Sequence, residues 1–238
     1  FGSNVEQGNI KKNGGTVYGY DSETSGVAMG FDVMTDSGST LGLSASFSTT
    51  DVDGLGTGKA TNSIDSYTVS VYTDRATDNG YLEGSLTYGV NDNTGSRLVN
   101  VAGLNRVYTN THDSTQLSMR LAAGSPKEIS DSFFITPYGS LTRTSFETDA
   151  YTEKSVTAND NLRLKIIKDD VTSMVGSIGV KAHKVTDNGV PMISFALNNE
   201  FGDTKINSTN TYTGGGTSFK TSTDVEELSA TLGLGYSF

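Results

Sequence analysis

Apolar and small or polar side chains alternate without a break from Leu228 to Phe238. Leu228, Ala230, Leu232, Leu234, Tyr236 and Phe238 fall on one face; Ser229, Thr231, Gly233, Gly235 and Ser237 fall on the other. Successive side chains of a strand point to opposite faces, so the pattern predicts a strand greasy on one side and polar on the other. A strand of a soluble sandwich would read the same way. Two details favour a membrane. The run is close to the ~9–11 residues that a tilted strand needs to cross a bilayer. Its Tyr-x-Phe end also suits the membrane–water interface.

Nine further segments show the same alternation or a remnant of it. Their apolar faces carry Val27, Met29, Phe31 and Val33; Leu41, Leu43, Ala45 and Phe47; Tyr67, Val69 and Val71; and Leu82, Leu86, Tyr88 and Val90. Further along come Leu117, Met119 and Leu121; Phe133, Ile135, Pro137 and Leu141; Met174, Ile178 and Val180; and Pro191, Ile193, Phe195 and Leu197. The first segment, residues 1–10, is weaker.

The connections sort by parity. Residues 34–40, 75–80, 124–132 and 184–189 are short and turn-like. Asp36-Ser37-Gly38, Asp78-Asn79-Gly80 and Asp187-Asn188-Gly189 supply residues that tolerate positive φ in hairpins. Residues 8–25, 48–65, 91–114, 144–170 and 200–226 are expected to be long polar loops. Outer-membrane barrels alternate short periplasmic turns with long external loops in this way, whereas a soluble sandwich has no reason to.

Composition agrees once half of each strand is allowed to face water. Mean hydropathy is only −0.32, yet a barrel strand keeps one polar face. No apolar run reaches the ~18 residues of a membrane helix. The 3 prolines among 238 residues suit long paired strands. With no cysteine, thiol nucleophiles, disulfides and Cys-zinc sites are excluded. A formal net charge of −10 argues against a nucleic-acid partner, which would need clustered Lys and Arg. The chain opens at Phe1, without initiator Met or signal peptide, so an excerpt of a longer precursor is expected.

Across nearly the whole chain the order of segments resembles the C-terminal translocator domain of autotransporters, the type V secretion family. The marks are Ser25 to Asp32 (SGVAMGFD), Leu41 to Phe47 (LGLSASF), Tyr67 to Tyr72 (YTVSVY) and Tyr81 to Gly89 (YLEGSLTYG), then Arg97 in the following loop and Thr136 to Leu141 (TPYGSL). The resemblance implies a barrel of twelve strands, an even number as such barrels use, with a helix threading its pore. It also implies secretion of an attached passenger to the cell surface and assembly by the barrel-insertion machinery. The chain departs from that pattern in showing ten strand-like runs, and no pore helix or passenger precedes Phe1. Either the chain stops before a final hairpin, which the cut front favours, or it forms a smaller ten-stranded barrel.

Candidate sites follow from the facing of the strands. Asp32, Glu83, Arg120 and Lys181 fall on the polar faces, and Glu200 does so near the rim. A charge facing lipid costs roughly 2–4 kcal/mol for Arg or Lys at the midplane. These residues are therefore expected to line the pore, where ordinary mutual pairing explains most of them singly. Tyr236 and Phe238 are candidate interface anchors and assembly signal. His112 and His183 stand at opposite ends of the expected barrel, with no matched acid or nucleophile, so His112 is read as a solvated loop residue. Asp51, Asp53, Asn91, Asp92 and Asn93 are oxygen ligands without an EF-hand Glu, also read as solvated.

The sequence therefore predicts one domain, residues 1–238, folded as an all-β, antiparallel, up-and-down transmembrane barrel. Its expected role is secretion and anchoring of a passenger at the bacterial outer membrane, as a monomer, with no enzymatic activity, cofactor or metal. Expected partners are outer-membrane lipid, the chain's own passenger and the barrel-assembly machinery. A stand-alone channel or adhesin is the second reading, and a hydrolase using His112 or His183 the third.

Overall fold

The computed structural model describes residues 2–237 except 9, 13, 14, 57, 58, 102, 158 and 159. Ten long strands form its frame. They are β1 (Gly2–Gln7), β2 (Tyr20–Met34), β3 (Ser39–Gly54), β4 (Thr61–Thr77), β5 (Gly80–Val101), β6 (Leu104–Gly124), β7 (Phe133–Thr148), β8 (Val171–Lys184), β9 (Val190–Glu200) and β10 (Leu228–Ser237). Each of the ten strands overlaps one of the ten segments read from the sequence. Every strand pairs antiparallel with its sequence neighbour, giving an up-and-down meander from β1 to β10. Among the described residues no ladder joins β1 to β10. No helix among them is long and apolar enough to cross a membrane.

The sheet curls strongly. Thr50 of β3 and Phe146 of β7 line one cavity, although a flat sheet would hold strands four places apart about 19 Å from each other. Its two faces differ in chemistry as the alternation predicts. Val27, Met29 and Phe31 of β2 are 64%, 76% and 68% exposed. An apolar face this open has lipid as its natural solvent. The opposite face is stitched by hydroxyl pairs between neighbouring strands: Ser46–Thr68 at 2.6 Å, Ser70–Thr87 at 2.7 Å and Ser118–Thr144 at 2.9 Å. Small polar groups satisfy one another there without a packed apolar core.

The apolar band has an edge. Phe47 and Tyr67 are register partners with rings 5.1 Å apart, and Tyr88 stands one strand further. Past these aromatics the outward positions turn polar. Asp51 accepts a hydrogen bond from Ser63 at 2.6 Å, and Asp65 accepts one from Thr49 at 2.7 Å. The strands continue regardless. β5 and β6 stay in register to Val101 and Leu104, which carries the ladder roughly 40 Å beyond Tyr88 at about 3.3 Å per residue.

This corrects the expected long loops at 48–65 and 91–114. They are hairpin extensions: the strands run on to Gly54 and start again at Thr61, and run on to Val101 and start again at Leu104. The ladder survives because Thr, Asn and Ser still pair through their backbones. The apolar alternation vanishes because neither face meets lipid. The expected short turn at 124–132 likewise contains a small strand, Lys127–Ser130, paired to β7.

The expected loop at 8–25 is cut short, because β2 already starts at Tyr20. The connections 144–170 and 200–226 fold on each other. Tyr151–Thr152, Leu164–Lys168, Lys205–Tyr212 and Phe219–Asp224 form a separate four-stranded antiparallel sheet. Lys154–Ser155 ties this cap to β6 by pairing with Tyr108 and Thr109.

Candidate functional site

The polar face carries the predicted charged residues at its turn end. Asp32 of β2 accepts a hydrogen bond from the Tyr72 hydroxyl at 3.0 Å. Glu83 and Arg120, on the paired strands β5 and β6, meet at 3.2 Å and are each about half exposed. Lys181 of β8 stands in register between Thr136 and Ser194. Glu200 is engaged differently. Its carboxylate accepts hydrogen bonds from the Ser173 hydroxyl at 2.6 Å, the Met174 amide at 2.6 Å and the Gly202 amide at 2.7 Å. Burial alone would raise its pKa, but these donors outweigh it and hold the carboxyl below its ordinary value. Glu200 thus shapes the chain where β9 enters the cap. Tyr236 is 56% exposed on the apolar face, and its hydroxyl donates to the Asn188 carbonyl at 2.6 Å, tying β10 to the β8–β9 turn. Phe238 lies outside the described residues.

The densest charge cluster lies where the cap meets the β5–β6 hairpin. Arg97 of β5 grips Glu153 with two parallel hydrogen bonds, one of them 2.7 Å from Nη2 to Oε2. Glu153 is 2% exposed and also accepts the Leu164 amide at 2.8 Å. Asp160, also 2% exposed, accepts from Arg106 at 2.8 Å, Tyr108 at 3.2 Å, Ser155 at 2.9 Å and the Leu162 amide at 3.0 Å. The Arg97 guanidinium sits 4.5 Å over the Tyr108 ring. Burial alone would raise the Asp160 pKa; the Leu162 amide, Arg106, Ser155 and Tyr108 outweigh it and pull it down to about 2. Two buried carboxylates held this completely fix the cap to the wall. Arg97, expected in a loop, stands on β5. The sequence carries no signal for Glu153 or Asp160, because their partners Arg97 and Tyr108 lie more than 50 residues away.

His112 is a correction. It was read as solvated, yet it is 9% exposed. It lies on β6, stacked on Tyr151 of the cap at 4.1 Å, and its Nδ1 donates to Asn110 Oδ1 at 3.0 Å. Burial first, and then Lys168, lowers its pKa to about 4, against the pull of Asp113 and Asp149. His183, on β8, stacks on Phe134 at 5.0 Å. The structure does not bring the two histidines together.

Asn91 and Asn93, expected as solvated loop residues, are a further correction. They sit buried on β5 and donate to the Ser114 hydroxyl oxygen at 3.3 and 3.1 Å. With His112 and Lys168 they line a cavity of about 350 Å³ beneath the cap.

The family model "Autotransporter beta-domain" matches residues 2–238. The translocator domain of the autotransporter NalP from Neisseria meningitidis is similar in structure. It has a TM-score of 0.69 and 17% identity, over 100% of this chain and 86% of that one. The β domain of the Bordetella autotransporter BrkA is similar too, with a TM-score of 0.61 and 15% identity, over 98% of this chain and 94% of that one. At such identities the likeness to both is one of fold. No curated protein matches the chain in sequence.

Proposed function

The chain belongs to the autotransporter β-domain family, and from that premise we propose that it secretes a passenger joined to its N-terminal side and anchors it at the bacterial outer membrane. The observation that carries this reading is the division of the sheet into two solvents' faces. Exposed Val, Met, Leu and Phe suit lipid, and hydroxyl pairs with scattered charges suit a wet lumen. An unfolded chain in transit needs such a lumen, because its own backbone donors and acceptors must stay satisfied by water or polar walls. In this reading Asp32, Glu83, Arg120 and Lys181 keep that passage hydrophilic. Lipid, the passenger and the barrel-assembly machinery are its partners, and the single domain acts as a monomer without chemistry of its own.

A tagged passenger fused before Phe1, through the family's linker helix, tests the proposal. Antibody should label the tag on intact cells, and protease added outside should remove it while leaving the membrane-embedded chain. A folded barrel whose tag stays inside sealed cells would refute secretion in favour of a stand-alone channel.

A further inference from the structure

We propose that the cavity beneath the cap binds a small hydroxylated carboxylate of sugar-acid size, held by Lys168. The inference reaches beyond passenger transport and rests on three features.

The first is an unmatched cation. Lys168 ends the cap strand Leu164–Lys168 and is half-buried against the wall strands. Among the described residues it has no ion pair. Its ammonium group lies 5.9 Å from the centre of the Tyr151 ring. Burial pushes its pKa down, and no carboxylate offsets that. A half-buried charge without an opposite charge is costly unless something supplies one. Lys168, Phe146 and Thr148 also line a neighbouring cavity together with Asp169, Glu200 and Asp203, none of which forms an ion pair with Lys168 among the described residues. Glu200 and Asp203 are occupied there by backbone amides. The cavity beneath the cap has no carboxylate in its lining, so an anion is favoured there.

The second is the lining. Asn62, Asn91, Asn93, His112 and Ser114 face Lys168 across the cavity. Asn62 donates to Asn93, and Asn91 and Asn93 both donate to the Ser114 oxygen. The amides are thereby locked, with the Asn62 and Asn91 side-chain oxygens and the Ser114 hydroxyl hydrogen left to meet a ligand's hydroxyls. With Nδ1 bound to Asn110, the His112 Nε2 is a further acceptor. One cation among fixed neutral acceptors and donors is the complement of a carboxylate carrying several hydroxyls.

The third is size. About 350 Å³ lies within the range of small-ligand sites, and holds one sugar ring but not an oligosaccharide. The cavity's wall is shared by the barrel and by the cap, which the buried carboxylates Glu153 and Asp160 hold down. It is therefore a preformed site rather than a gap between mobile loops.

D-glucuronate is the probe, titrated by calorimetry into the refolded chain in detergent. Saturable binding is expected, about tenfold tighter than that of methyl glucoside, which lacks the carboxylate. Lys168→Gln should weaken glucuronate about tenfold and Lys168→Arg should retain it. Asn93→Asp, which adds a negative charge to the lining, should abolish it, and serves if Lys168→Gln fails to fold. The His112 imidazole, followed by NMR, should titrate at higher pH with glucuronate bound, because the anion offsets Lys168. Glucuronate binding no tighter than methyl glucoside would overturn the proposal. So would wild-type affinity in folded Lys168→Gln, or no saturable binding of glucuronate.

Discussion

The ring of Tyr72 lies across Gly42 of the adjacent strand and its hydroxyl reaches Asp32 one strand further, at 3.0 Å. Asp32, Gly42 and Tyr72 stand in one register row over β2, β3 and β4. A Cβ at Gly42 would overlap the ring. Glycine is required here for close approach, not for its backbone freedom. Tyr81 over Gly124 and Tyr138 over Gly179 repeat the arrangement. The polar face is thus braced by aromatic rings laid sideways over glycines.

Gly42→Val should therefore displace the Tyr72 ring and cost the Asp32 hydrogen bond, about 1 kcal/mol, plus the ring's packing. Tyr72→Phe should lose the hydrogen bond alone. In a double-mutant cycle, adding Gly42→Val to Tyr72→Ala should cost little, since the ring it collides with is gone. Urea unfolding in detergent, read by the gel shift between unheated and boiled samples, measures this. Additive losses would mean that the two residues do not act together.

The faces of β3 make the second test. Leu43 is 38% exposed on the apolar face, and Ser44 is turned the other way. Leu43→Arg should cost roughly 2–4 kcal/mol near the bilayer midplane. Ser44→Arg should assemble almost normally, because its long side chain can extend into water. The reverse order in the same gel assay would mean that the faces are misassigned.

The spanning strands were legible for a physical reason. Lipid on one side and water on the other imposes period-2 alternation on residues such as Leu41 to Ser48. Where Leu86, Tyr88 and Val90 give way to Asp92 and Thr94, both faces become polar, and strand and loop read alike. The cap was invisible for a different reason. Its ties, Arg97 to Glu153 and Tyr108 to Asp160, join residues 56 and 52 positions apart, and a charged residue in a polar stretch carries no mark of its partner. His112 has polar neighbours in sequence that suggest water, yet the cap residue Tyr151 covers it.

The cap's anchorage should depend on acid. Asp160 has its pKa lowered to about 2, against about 3.9 for a free Asp. A lowered folded-state value means that its contribution is full above about pH 4 and is lost as pH falls toward 2. Pepsin should therefore begin to nick residues 153–163 across that window while the barrel keeps its gel shift. Asp160→Asn, lacking the carboxylate, should already be nicked at about pH 4, where the unaltered chain still resists. Glu153→Gln should free the same segment at neutral pH, at a local cost of about 3 kcal/mol for a broken buried pair, measured by hydrogen exchange of the Leu164 amide.

The histidines test whether the chain acts without chemistry. Catalysis by histidine needs a nucleophile or acid within hydrogen-bond reach and a group to orient the ring. His112 has the orienting contact, from Asn110, but its ring is covered by Tyr151. His183 packs flat on Phe134 at the far end of the polar face. Replacing both by Ala should leave folding and passenger display unchanged. The His112→Ala change should still loosen the cap, because it removes the ring on which Tyr151 rests, and exchange of the Tyr151 and Ile166 amides should rise. A hydrolytic activity that vanishes with either histidine, while the barrel remains folded, would overturn the reading of a passive translocator. Loss of display with the cap intact would do the same.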